Sequence, residues 1–177
     1  MDLKVFIVCL DKETALTIAK NMIAINDELS IVPTFTTDTL YKNKLNDKYI
    51  YYLDVNVANL SYKNNALLYI KTKDYISSGI TIDDFYNNDI CILTIEEFNI
   101  ISDIVFKKHN ILTVWVDSKS SKALTSTDMI EINYFNTFIS NNEYLYFLDN
   151  ENDIHNVILN YIYGDEETKK LILKENN

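Results

Sequence analysis

Apolar residues fall along this chain in two patterns, short unbroken runs and helically spaced stripes, and the two alternate. Val5-Phe-Ile-Val-Cys-Leu10, Ile90-Cys-Ile-Leu-Thr-Ile95 and Ile111-Leu-Thr-Val-Trp-Val116 are too short for ordinary helices and too apolar for strands with one wet face. Runs of this kind predict strands covered on both faces, as in the interior of a parallel sheet. Behind the first run, Ala15, Leu16, Ile18, Ala19, Met22 and Ile23 recur at helical spacing, with Asp11 or Thr14 as the cap. Behind the second, Glu96 to His109 reads as a helix that turns Phe98, Ile101, Val105 and Phe106 inward. A last strand is expected at Glu143 to Leu148, then a final helix capped by Asp149, Asn150 or Asn152. Its core side is Ile154, Val157, Ile158, Tyr161 and Ile162, and Gly164 stands at its C-terminal cap.

The middle of the chain is more broken. Leu29 to Phe35 is strand-like, with Pro33 marking an edge or an end, and Thr36-Thr37-Asp38 opens a polar loop. Tyr49 to Asp54 reads as an aromatic-rich strand, Val57 to Tyr62 as a short helix, and Ala66 to Ile70 as an extended piece. Ser77-Ser78-Gly79 is expected to be a glycine turn, with a short helix beginning between Thr81 and Phe85. Ser118 to Asp128 is a loop or a frayed helix. Strands alternating with helical stretches of ten or more residues imply crossover connections. The expected fold is therefore a three-layer αβα domain over residues 1–177. Its sheet is mainly parallel, the strands at Val5, Ile90 and Ile111 lie in the interior, and helices cover both faces.

Composition narrows the function classes. At 177 residues, 47% of them apolar, the chain can bury one sizeable core, and no apolar run approaches the length of a membrane span. Met1-Asp2-Leu3-Lys4 leads straight into the first strand, so no leader is expected and the reading is cytoplasmic. Cys9 and Cys91 lie inside apolar strands and are expected to be buried thiols. Sixteen basic residues face 26 acidic ones, for a net charge of −10, and every basic residue is Lys. That balance argues against nucleic acid, whose binders present basic stripes and arginine forks. His109 and His155 have no carboxylate or Cys at ligand spacing, so no metal is expected, and no nucleophile elbow surrounds a serine such as Ser118. The turn Cys9-Leu-Asp-Lys-Glu-Thr14 follows the first strand, where open α/β sheets place ligand chemistry. It keeps a Lys and a Thr, but it lacks the glycines of a phosphate loop and carries two carboxylates.

The succession of elements from Val5 to about Gly164 resembles a guanylate kinase, a P-loop nucleoside monophosphate kinase. Phe35-Thr-Thr-Asp38 resembles the segment that ends in a phosphate-gripping Arg, and Tyr49-Ile-Tyr-Tyr52 the stretch whose Tyr meets the nucleotide phosphate. Leu67-Leu-Tyr69 resembles the piece whose Glu reads guanine, and Tyr75 to Thr81 the Tyr-Gly-Thr turn. Ile92-Leu-Thr-Ile-Glu96 resembles the strand that carries two Asp residues. On this resemblance the former nucleotide cleft would hold Lys12, Thr14, Thr36, Thr37, Tyr49, Tyr69, Tyr75, Gly79, Thr94 and Glu96. The departures fall on chemistry: Asp38 stands in place of Arg, Tyr69 in place of Glu and Thr94 in place of Asp. The lid would have Lys119 and Lys122 but no Arg.

The resemblance thus implies a kinase-like fold without a catalyst or cofactor, binding nucleotide weakly or not at all. Its expected role is as a protein-binding or assembly module, meeting another protein or a second copy of itself. Tyr41, Tyr49, Tyr51, Tyr52 and Tyr62 are the candidate interface. The AT-biased, arginine-free composition fits a viral or phage product, in the host cytoplasm or the virion. Two alternatives stand beside this reading. One is residual nucleotide binding or kinase activity. The other is a degenerate response-regulator receiver, with Asp54 as the modified residue.

Overall fold

The computed structural model describes residues 3–43, 48–107, 109–117, 125–139, 142–148 and 153–176. The chain divides into two compact units, residues 1–30 with 90–177, and residues 31–89.

The first unit is built on β1 (Leu3–Cys9), which pairs in parallel with β6 (Ile90–Thr94) on one side and β7 (Asn110–Asp117) on the other. β8 (Tyr144–Leu148) adds in parallel to β7, giving the order β6-β1-β7-β8. Val5, Phe6, Ile7, Val8 and Cys9 are all fully buried, as the unbroken apolar run predicts. β6 departs from expectation: it lies at the end of the four-stranded order, not in the interior. Its strand is nonetheless apolar, because helices cover it and the Ser30 carbonyl accepts the Ile90 N–H at 2.9 Å.

Helices α1 (Lys12–Ile25) and α4 (Ile95–Val105) follow β1 and β6. The chain moves from β1 outward to β6, then back across β1 to β7. Right-handed crossovers in opposite directions put α1 on one face of the sheet and α4 on the other. Helix α5 (Ser126–Ile139) joins α4, and the two close an aromatic cluster over β1 and β7. Phe98 sits edge-on to Phe6, Phe106, Phe135 and Phe138 with centroids 5.0–6.2 Å apart, and Trp115 meets Phe135 at 5.1 Å. Each such pair contributes about 0.5–1.5 kcal/mol beyond its buried area. α6 (Ile154–Tyr163) packs against α1, and α7 (Glu166–Asn176) packs against α6 and β8.

Several local expectations change. Asp11, not Thr14, caps α1, accepting the Glu13 N–H at 3.2 Å. The helix at 126–139 has only Phe135 and Ile139 buried, too sparse a stripe to read from sequence. The helix at 154–163 is not the last, since the polar α7 follows it. Gly164 ends α6 with ordinary negative φ. What requires glycine there is close approach, because a Cβ would collide with the Asn160 carbonyl and lie 2.8 Å from Thr168 Cγ2. The expected caps Asp149, Asn150 and Asn152, and most of the 118–128 loop, lie outside the described residues.

The second unit is a mixed sheet in the order β3-β2-β5-β4, formed by β2 (Thr34–Thr36), β3 (Ile50–Tyr52), β4 (Leu67–Lys73) and β5 (Ile76–Thr81). Helices α2 (Val55–Lys63) and α3 (Ile82–Asn87) accompany it. Gly79 does not form a turn. It lies within β5, paired with Phe35 and Ile70, and a Cβ there would collide with the Tyr69 carbonyl and sit 2.9 Å from Phe35 Cε1. The turn lies four residues earlier, at Asp74 and Tyr75, both with positive φ (51° and 67°), the twist that suits a two-residue hairpin. Because β3 belongs to this sheet and not beside β1, Asp54 cannot occupy the position a receiver needs. That alternative is set aside.

Two predictions follow from the packing. Gly79→Ala should destabilise the protein by about 2 kcal/mol or more, since the new methyl has backbone on one side and a buried ring on the other. An unchanged urea midpoint would contradict it. Burial pushes the Cys9 and Cys91 thiols up to about 12, from 9.0 in the unfolded chain. Both should therefore label slowly without denaturant. Between pH 9 and 12 the unfolded chain can lose these protons while the native state retains them, so stability falls across that window. Rapid labelling of both thiols in native buffer would contradict the burial.

Candidate functional site

In the first unit, the C-terminal ends of β1 and β6 lie side by side while the helices that follow them leave on opposite faces. Crevices of this kind are where open α/β sheets bind ligands. Lys12 is the first residue of α1, and Thr94 is the N-cap of α4. Thr94-Ile-Glu-Glu97 forms a capping box: Thr94 Oγ1 accepts the Glu97 N–H at 3.2 Å, and Glu97 Oε2 accepts the Thr94 N–H at 2.9 Å. The same Oε2 takes the Lys12 ammonium at 2.7 Å. The Glu97 side chain is only 6% exposed, against 36% for Lys12. A buried carboxylate therefore bridges the first turns of the two helices and holds the cation of the β1–α1 turn.

Glu97 was not among the residues singled out from sequence. Its signal was present, because a Thr followed three residues later by Glu at the start of an apolar helix is the capping-box signature. Its pairing with a lysine 85 residues away carries no such signal. The neighbouring predicted residues are quieter: Thr14 and Glu96 are half-buried in the first turns of α1 and α4. Cys9 donates its thiol to the Asp11 carbonyl and is buried below the turn. Among the described residues, no three His, Cys, Asp or Glu side chains gather as a metal site. Lys119 and Lys122 fall outside the described residues.

The remaining predicted cleft residues belong to the second unit, and most are used there to hold the unit itself. Thr37 Oγ1 accepts the Ser77 N–H at 2.8 Å, and Thr36 Oγ1 accepts the Asp38 N–H at 3.2 Å; both side chains are buried. Asp38 caps a short 3-10 turn at Thr39–Tyr41, accepting the Leu40 N–H at 2.9 Å. Tyr69 is buried in β4, Gly79 is enclosed within β5, and Tyr49 is half-buried just before β3. Tyr75 stands at the hairpin tip, 99% exposed. Gly79 lies four residue steps along the chain from it, roughly 13 Å. Those two do not share a site.

The candidate interface tyrosines differ among themselves. Tyr51 donates its hydroxyl to Asp84 at 2.7 Å, and the same carboxylate oxygen takes the Thr81 hydroxyl at 2.6 Å. Burial first, and Asp84 second, raise the Tyr51 phenol well above its ordinary value. Tyr51 is thus a tie between β3 and α3. Tyr41 and Tyr49 are half-buried, as is Tyr52, whose ring lies 5.9 Å from the Lys42 ammonium. Tyr62, on α2, is exposed at 63%.

The Lys12–Glu97 pair should be measurable in a double-mutant cycle of Lys12→Met and Glu97→Gln, read by urea unfolding. Gln keeps the capping geometry while removing the charge. A coupling of about 1–3 kcal/mol is expected for a pair this far removed from water on one side. Strictly additive single effects would show that the contact contributes nothing.

No protein-family model matches the sequence, and no curated protein matches it. Among solved structures, the fold is similar to the crystal structure of guanylate kinase from Anaplasma phagocytophilum. The TM-score is 0.54 at 12% sequence identity, over 90% of this chain and 84% of that one. Among the described residues, no helix is long and apolar enough to cross a membrane. The chain has a guanylate-kinase-like α/β fold, with a four-stranded parallel sheet flanked by helices.

Proposed function

We propose that residues 1–177 form one guanylate-kinase-like domain that has lost phosphoryl transfer and is retained as a protein-binding or assembly module. The observation that carries this reading is the Lys12–Glu97 pair. A phosphate arriving at the β1–α1 turn would have to take Lys12 from Glu97, leaving a carboxylate that is 6% exposed without its cation. Leaving that carboxylate without its cation carries a desolvation cost, partly screened because Lys12 is 36% exposed, and the loss would be subtracted from any nucleotide affinity.

Other features point the same way. The turn has no glycine to open its backbone N–H groups to an anion, and Asp11 and Glu13 flank Lys12. The chain contains no arginine, and transition-state stabilisation by arginine is worth ~10³–10⁵ in rate for phosphoryl transfer. In the second unit, Thr36 and Thr37 use their hydroxyls on backbone groups, and Asp38 is spent on a cap. By analogy with folds that host many unrelated functions, a fold kept without its chemistry is retained for its surface. The composition fits a viral or phage protein acting in the host cytoplasm or the virion.

Calorimetric titration with ATP, GTP and GMP in the presence of Mg²⁺ tests the loss of nucleotide chemistry. Millimolar affinity or none is expected, unchanged in Lys12→Ala. Micromolar binding abolished by Lys12→Ala would overturn the reading in favour of a working nucleotide site.

A further inference from the structure

Helix α2 is fixed at both ends and packs against its unit through little more than Ala58. Asp54 caps its N-terminus, accepting the Asn56 N–H at 2.9 Å. Its C-terminus closes in a full Schellman motif. Asn65 has φ 54°, its N–H reaches the Tyr62 carbonyl at 3.1 Å, and the Ala66 N–H reaches the Ser61 carbonyl at 2.9 Å. Along its nine residues only Ala58 is buried, while Val55, Val57, Leu60 and Tyr62 are 49%, 47%, 58% and 63% exposed. A helix of this length is marginal without packing. Here the caps preform it, and its large apolar groups remain uncovered.

The charge pattern selects what would cover it. Residues 31–89 carry six lysines against seven carboxylates, so nearly all of the net −10 lies on the other unit. Residues 55–73 are the longest stretch of the chain without a carboxylate, and the charges at α2 are Asp54 at its start and Lys63 at its end. Two copies of an acidic protein repel one another least at a surface of this kind. Antiparallel pairing of two α2 helices brings the Asp54 end of each to the Lys63 end of the other and opposes their dipoles.

We infer that α2 is a homodimerisation surface, with Val57 and Leu60 packing against the same helix of a second copy. This inference rests on the assembly reading and names its partner as the protein itself. The test is sedimentation equilibrium of the full chain over a wide concentration range. A monomer–dimer equilibrium is expected. Leu60→Asp, an exposed position, should abolish dimerisation with an unchanged circular dichroism spectrum. Lys63→Glu should weaken it by about tenfold, on the order of two exposed ion pairs. Ile104→Asp, equally exposed but on α4, should leave it unchanged. A monomer at every concentration overturns the inference, as does a dimer indifferent to Leu60→Asp. The nucleotide titration is independent of both results, so loss of the dimer alone does not restore a kinase site.

Discussion

β1 is saturated on every side, and the first unit depends on that saturation. From Val5 to Cys9 its backbone hydrogen bonds are taken by β6 on one edge and β7 on the other, and the side chains of that stretch are fully buried on both faces. That stretch is apolar because any polar side chain on it would need a partner inside the core. The rest of the unit is arranged to cover it. α4 and α5 bring a cluster of edge-on aromatic rings to the Phe6 side, and α1 and α6 close the other.

The same strand ends at the point where charge enters the fold. Two helices start from adjacent strand ends and diverge, which leaves unpaired backbone N–H groups and a crevice that suits an anion. In this chain the anion comes from within. Glu97 Oε2 accepts both a helix N–H and the Lys12 ammonium, so the crevice's donor and its cation are answered by one side chain. A site that satisfies itself gains local order and loses the open valence that a ligand would need.

The smaller unit uses a different economy. Two of its strands, β2 and β3, are only three residues long, and side chains bonded to backbone or to each other add to its cohesion: Thr37 to Ser77, Asp84 to Tyr51 and Thr81, and Asp54 at the start of α2, whose other end is closed by the backbone N–H groups of Asn65 and Ala66. Capping and turn bonds of this sort hold a helix in place without burying it. For that reason α2 can keep four large apolar side chains at the surface while its backbone stays defined at both ends.

Much of the fold was legible from periodicity alone. The runs at Val5, Ile90 and Ile111, the stripe of α1 and the inward face of α4 are local patterns, and burial imposes them residue by residue. α5 escaped because only Phe135 and Ile139 turn inward, and α7 because its composition is polar. Gly79 misled because glycine marks either a turn or a close approach, and only the neighbouring Phe35 and Tyr69 distinguish the two. Likewise, the positive-φ hairpin at Asp74-Tyr75 has no glycine to announce it. Of the candidate site, the sequence determined what was missing: arginine, phosphate-loop glycines and a cation beyond Lys12 at the first turn. What occupies that place was decided by tertiary structure, since an ion pair between residues 12 and 97 depends on two helix starts meeting at adjacent strands. Local propensity acts over a few residues, whereas that meeting follows from strand order, which no short-range pattern encodes.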